Sequence, residues 1–431
     1  MNTTDTLTAG SEKLYRGMPL AGWIAVLGVF LAIVVDGMDY QLLNFAYPSL
    51  MEEWGLSKTS LGGLGSISLI GLGIGGILGG WLADRIGRAR LMRTSLAFFA
   101  IFTCMLGFTH SYMQFAVIRF IAGLGLGAIY MVGMSLVAEH VPAKNRGVFI
   151  SAMSAAYSIG LICSSLLSGW IIPAWGWRHL FILSILPGAI TFAVLFFVKE
   201  SASYMASRAE RLAQAKAAKE AKAAQPRNEY VMMLSNPKTR KTFITWVFIA
   251  ITLQFAYTGA QSWMPTYLTN EMGISLKSVS WYLAATYFAT VIGKLLAGWL
   301  ADKWGRRKTW FFGGVSTAIA LPLVVYYATP AILPVLLLVF GFFCGMDYAV
   351  NATFMNESFP TEFRATATGA AHNMGRAGST FAPLMIGAVA DAWTIGAGLA
   401  LLAISSLICA FLGGFGIQER MYDPNAVEKQ A

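Results

Sequence analysis

Long apolar runs alternate with short polar stretches along this chain. A helix needs about 20 apolar residues to cross the hydrocarbon core of a bilayer. Twelve such runs occur, at 22–48, 60–82, 91–109, 112–137, 148–172, 178–198, 242–268, 277–301, 309–328, 331–356, 366–390 and 394–416. They predict an all-α integral membrane protein with twelve transmembrane helices. Residues 1–21 carry Asp5, Glu12, Lys13 and Arg16, unlike the short basic stretch and apolar core of a cleaved signal peptide. The one long polar segment, 199–240, contains AERLAQAKAAKEAKAA, rich in strong helix formers. It reads as a basic helix on the cytoplasmic face, joining two sets of six spans. The predicted division is an N-terminus at 1–21, a six-helix half at 22–198, the linker at 199–240, a second half at 241–417 and a tail at 418–431.

Composition sharpens this reading. Hydrophobic residues make up 56% of the 431 positions and charged residues only 12%, against about a quarter charged in soluble proteins. So few charges exclude a disordered chain, a coiled coil and a typical cytosolic enzyme. The net charge of +10 raises the question of an anionic partner, but its distribution answers it. With an even span count both termini share one side, and that side carries 25 of the 31 Lys and Arg. Basic loops stay in the cytoplasm, so both termini are expected there, in contact with the lipid bilayer and with no nucleic acid. Cys104, Cys163, Cys344 and Cys409 all sit in apolar runs without CxxC spacing, which suggests neither a disulfide framework nor a metal site. No HExxH, GxSxG or P-loop occurs. The chain is expected not to be an enzyme, to need no cofactor and to draw energy from a gradient.

The two halves repeat each other. GWLADRIGRAR at 80–90 recurs as GWLADKWGRRK at 298–308, 218 residues later. Glu139, Pro142 and Arg146 recur at the same offset as Glu357, Pro360 and Arg364, and glycines 55, 123, 127 and 160 recur at 273, 341, 345 and 378. Homologous halves around a central cavity are a transporter architecture.

These motifs resemble the major facilitator superfamily. GWLADRIGRAR is similar to its signature between spans two and three, RFIAGLGLGA at 119–128 to its span-four signature, and ESASYM at 200–205, more weakly, to the sequence after span six in sugar porters and organic-ion carriers. The resemblance implies that Asp84, Arg88, Glu139 and Arg146, with Asp302, Arg306, Glu357 and Arg364, form a charged network holding the cytoplasmic side closed. The alternative is charge placed for topology alone. DGMD at 36–39 and NMGRAGSTFAP at 373–383 also resemble segments of spans one and eleven in the aromatic acid:proton symporter family.

Ionisable groups inside spans are costly and mark function. Asp36 and Asp39 share one face of span one, which Tyr40 and Asn44 extend. They are candidate proton carriers, unless one merely pairs with a buried Arg. Arg376 is the candidate substrate ligand, because a guanidinium stays charged and forks onto a carboxylate. The competing reading is an Arg neutralised by Asp347 of span ten. His372 and Asn373 lie one turn before Arg376. Arg119 either couples the proton or snorkels to water, and Asp347 is a second candidate proton or cation site. Lys294 is expected to snorkel. Gln254, Tyr257 and Gln261 of span seven, with Tyr130, Tyr157 and Tyr287, are candidate cavity-lining residues.

The function these features favour is proton-coupled uptake of a small organic anion, an aromatic or heteroaromatic monocarboxylate, by alternating access. Alternatives are symport of another organic acid or acidic sugar, drug/proton antiport, or a receptor that senses without transport. Span five reads AMSAAYSIGLICSS, without the Gly-Pro signature that antiporters of the resembled superfamily carry. Animal organic-ion carriers of the resembled superfamily usually hold a large glycosylated loop between spans one and two, so by that resemblance the short segment 49–59 implies a bacterial inner membrane, and the protein is expected to be a monomer.

Overall fold

The computed structural model describes residues 14–15, 18–142, 146–200, 229–360, 362–419 and 421. The first half comprises α1 (Leu20–Trp54), α2 (Lys58–Ile86), α3 (Arg88–Leu106), α4 (Tyr112–His140), α5 (Arg146–Trp175) and a sixth crossing divided into α6 (Trp177–Leu183) and α7 (Ile185–Phe196). A short helix, α8 (Glu229–Ser235), leads into the second half. That half comprises α9 (Pro237–Thr266), α10 (Leu276–Trp304), α11 (Arg306–Tyr326), α12 (Leu333–Glu357), α13 (Arg364–Ala392) and α14 (Ile395–Phe411). All twelve predicted spans are helical. Most of the expected linker helix, 201–228, lies outside the described residues.

Local chemistry accounts for the boundaries. α1 continues through Pro48 past its expected end, and it stops only at Gly55, which takes the left-handed conformation at φ 60. α9 begins at Pro237, earlier than expected, with the Asn236 side chain accepting from Lys238 N. The sixth span breaks at Ser184. Pro187 has no N–H to donate to the carbonyl four residues back, and Ser184 Oγ turns back to Phe181 O at 2.6 Å. Among the described residues, eleven helices are long and apolar enough to cross a membrane. α13 misses that threshold because it carries His372, Asn373 and Arg376.

The 218-residue repeat is visible in the backbone. Gly55 and Gly273 adopt φ 60 and 66, and Gly87 and Gly305 adopt φ 104 and 98. Ser57 caps α2 and its repeat mate Ser275 caps α10, each accepting from the N–H three residues on. Large apolar side chains face outward at matched places, Ile77 at 74% exposure and Leu295 at 72%. Only an apolar solvent makes so much exposed apolar surface favourable.

The halves meet along two related seams, α2 against α13 and α5 against α10. α1 starts and α14 finishes at one end of the bundle, the termini end, opposite the far end. At the far end Asp391 of α13 accepts from Lys58 N at 2.9 Å and from Thr59 N at 2.8 Å, capping α2 from the other half. An added Cβ at Gly62 would collide with the Pro383 backbone of α13, and one at Gly65 with the Tyr47 hydroxyl while pressing on the Pro383 ring, so glycine allows this approach. On the other seam Gly169 packs on the Ser280 side chain.

Candidate functional site

Asp39 and Arg119 form a buried ion pair between α1 and α4. Arg119 Nη1 donates to Asp39 Oδ1 at 2.8 Å, Nη2 lies 2.7 Å from Oδ2, and Nε donates to Ser68 Oγ at 2.6 Å. Thr103 adds a hydroxyl donor to the same carboxylate at 3.2 Å. Arg119 is 3% exposed, so it does not snorkel.

Asp36 lies one turn away and is also buried, at 6% exposure. Among the described residues no hydrogen-bond donor or cation reaches its carboxylate. The charges that act on it are the repelling Asp39 and the attracting Arg376. Arg376, half-buried on α13, has no carboxylate within ion-pair distance among the described residues. Its Nη1 lies 3.1 Å from where a Cβ would stand at Gly76 of α2, so the guanidinium occupies space that a larger residue would fill. The site thus holds one satisfied pair and, beside it, an acid and a base each without a direct partner.

Asp347 is not the partner of Arg376. It lies within the second half, against Gly313 and Gly314 of α11. There it lines a cavity of about 20 Å³ with Tyr257, Thr317, Cys344, Ser406 and Cys409. Among the described residues its Oδ1 has no hydrogen-bond partner. α12 packs chiefly on α10 and α11, and Asp347 sits on its α11-facing side.

Tyrosines gather around Asp36. Tyr130 and Tyr157 lie close enough to feel its charge. Tyr157 also neighbours Tyr40, Tyr257 and Tyr348, and the Tyr257 and Tyr348 rings lie 4.2 Å apart. Tyr287 is buried near Tyr40 and Tyr257. The Tyr40 hydroxyl meets Thr258 O at 3.4 Å and Ser262 Oγ at 3.2 Å. Gln254 donates to His372 O at 3.1 Å and accepts from Ser379 at 3.0 Å, so it serves the contact between α9 and α13. Gln261 is buried one turn from Tyr257 on α9. Asn44 is buried and donates to Gln41 at 3.1 Å, and Asn373 is exposed. His372 is half-buried next to Arg376.

At the termini end Arg88 pairs with Glu139, and Arg306 pairs with Asp302 and Glu357. These pairs join helices within one half. Arg364 donates to Phe359 O at 3.0 Å. The side chains of Asp84 and Arg146 lie outside the described residues. Glu200, first residue of ESASYM, accepts from Arg88 N and Arg90 N at 3.0 Å. Glu419 does the same for Arg306 N at 2.6 Å. Each carboxylate caps a helix N-terminus, where the orphan N–H groups favour an anion.

Sequence reasoning missed two features here. Tyr348 is the repeat mate of Tyr130, and that offset was the available signal. Lys294 does not snorkel; its Nζ donates to Ser158 Oγ of the other half at 3.1 Å.

The model of the Major Facilitator Superfamily matches residues 29–279 and 248–429. The chain belongs to the Major Facilitator Superfamily. It is a multi-pass membrane transporter, not an enzyme. A cis,cis-muconate transport protein from Acinetobacter baylyi is 43% identical over 401 residues, covering 93% of this chain and 95% of the relative. The 4-hydroxybenzoate transporter PcaK from the same organism is 26% identical, covering 94% of each. Among solved structures, a D-xylose-proton symporter superposes with a TM-score of 0.76 at 21% identity, over 92% of this chain and 98% of the other. At that identity the likeness shows the superfamily fold alone.

Proposed function

We propose that this transporter carries a small organic acid into the cell together with a proton, by alternating access. The observation that carries the reading is the adjacency of Arg376 and Asp36, each without a direct partner, beside the closed pair Arg119–Asp39. A guanidinium is a fork for a carboxylate. A buried carboxylate without a cation is stabilised by taking a proton. Protonation of Asp36 removes the negative charge that competes with substrate for Arg376, so anion and proton load together. The tyrosines around Asp36 offer flat faces to a ring or a conjugated chain. Relatives named for muconate and 4-hydroxybenzoate transport support this substrate class.

The contacts at the far end suit a state closed on that side. The positive-inside rule assigns the termini end to the cytoplasm of a bacterial inner membrane, so this state faces inward. The halves 22–198 and 241–417 rock about the two seams, with 199–240 as tether between the tails 1–21 and 418–431, and the working unit is a monomer. His372, Asn373, Tyr40, Asn44, Gln254 and Gln261 position Arg376 or line the path. Asp84, Arg88, Glu139, Arg146, Asp302, Arg306, Glu357 and Arg364 tune closure of the cytoplasmic side. Exposed pairs contribute only about 0–1 kcal/mol each, so such a network biases two states without locking either.

Uptake of labelled cis,cis-muconate, benzoate, 4-hydroxybenzoate and lactate into proteoliposomes tests the reading. Accumulation of at least one acid driven by an inward proton gradient is expected. Binding of cations or neutral drugs with no uptake of any acid contradicts it.

A further inference from the structure

The repeat relates the two seams residue by residue. On one, Arg376 of α13 lies over Gly76 of α2. On the other, Lys294 of α10 donates to Ser158 of α5 at 3.1 Å. Lys294 is the repeat mate of Gly76, and Arg376 is the repeat mate of Ser158, each 218 residues on. Exchanging the halves therefore turns one contact into the other. Tyr40 and Thr258 are also mates and touch each other, which places them at the pseudo-two-fold axis. The two cations accordingly stand at matched depth on opposite sides of that axis.

Neither cation is neutralised. Among the described residues no carboxylate lies within ion-pair distance of Lys294 or Arg376. The groups that face Lys294 are the Ser158 hydroxyl and the Cys344 thiol. One hydroxyl does not replace the hydration of an ammonium group. An unpaired cation deep in a span marks a ligand path. Asp39 offers no compensation, because Arg119 already holds it.

We propose that Lys294 and Arg376 bind a dicarboxylate, one carboxylate at each seam, with the carbon skeleton crossing the axis over Tyr40 and Tyr157. This rests on the organic-acid reading above and narrows it. Charge also links the dianion to the proton. Asp36, faced by Asp39, Arg376, Tyr130 and Tyr157, leaves the two cations room for only one further negative charge while it is ionised. Once it is protonated, both charges of a dicarboxylate are matched.

The test is competition against labelled cis,cis-muconate uptake in proteoliposomes containing the full chain. Unlabelled muconate and its monomethyl ester are compared on the unmodified protein, which removes any question of folding. The ester is expected to compete at least about tenfold more weakly, the value of one charge-assisted contact. Lys294→Gln is expected to lower the ratio of muconate to benzoate uptake by a similar factor, and Lys294→Arg to restore it. Equal competition by ester and diacid, or an unchanged ratio in Lys294→Gln, overturns the two-cation site. Uptake of benzoate but not muconate also overturns it, while leaving organic-acid transport standing. Uptake of neither acid, with cations or neutral drugs bound instead, overturns both.

Discussion

Asp36 and Asp39 stand three residues apart on one helix, yet only Asp39 is held by a guanidinium, Arg119, at 2.7 Å. In the proposed mechanism that asymmetry divides the acid pair into a structural member and a member left for chemistry.

The structural member has a measurable weight. Breaking a buried pair leaves an uncompensated charge, at a cost of about 3–5 kcal/mol. Arg119→Leu is expected to destabilise the first half by that order, read as a fall in thermal unfolding temperature in detergent. The double change Arg119→Leu with Asp39→Asn removes both charges and is expected to recover most of the loss. A double variant no more stable than the single one contradicts the assignment.

Arg376 is expected to set affinity for the anion. Arg376→Ala should weaken binding by about 1.5–3 kcal/mol, the range for hydrogen bonds to charged groups, in titrations that follow intrinsic tryptophan fluorescence. Arg376→Lys keeps charge and loses the fork, so it should fall between the two. An unchanged dissociation constant in Arg376→Ala removes this residue from the site.

Asp347 should behave differently from Asp36. It lies against Gly313 and Gly314 of α11, and among the described residues no ion pair links it to Arg376. Asp347→Asn keeps the shape and the acceptor oxygen, and gradient-driven accumulation is expected to survive. Loss of accumulation with normal folding would return Asp347 to the proton path.

The far end offers a conformational test. A side chain at Gly62 has no room beside Pro383, and Asp391 caps α2 from the opposite half. Gly62→Leu and Asp391→Ala should both disfavour the state closed there. A single cysteine at the buried Ser66, in an otherwise cysteine-free chain, reports this by faster maleimide labelling from the far side. Unchanged labelling in both variants contradicts the seam's role.

Much of the architecture was legible because two signals are long-range in sequence. Hydrophobic runs mark each span, and the 218-residue offset recurs down to the φ values of Gly55 and Gly273. The types of the site residues were legible too, since Arg and Asp inside spans stand out against apolar neighbours. Their pairing was not. Helical periodicity puts Asp36 and Asp39 on one face but cannot say which one α4 presents Arg119 to. Asp347 looked equally able to reach Arg376, and only the packing of α12 against Gly313 and Gly314 separates them. Lys294 resembled any lysine near a helix end. Its position opposite Ser158 emerges only when the two seams are folded and compared.

The proposed carrier of the proton that drives the anion is Asp36. The most direct measurement compares the native chain with Asp36→Asn in proteoliposomes, recording both net accumulation under an inward proton gradient and exchange of labelled for unlabelled acid. Asp36→Asn is expected to lose accumulation and retain exchange, because the halves still rock around a loaded site. Accumulation that survives Asp36→Asn and still follows the proton gradient would contradict it.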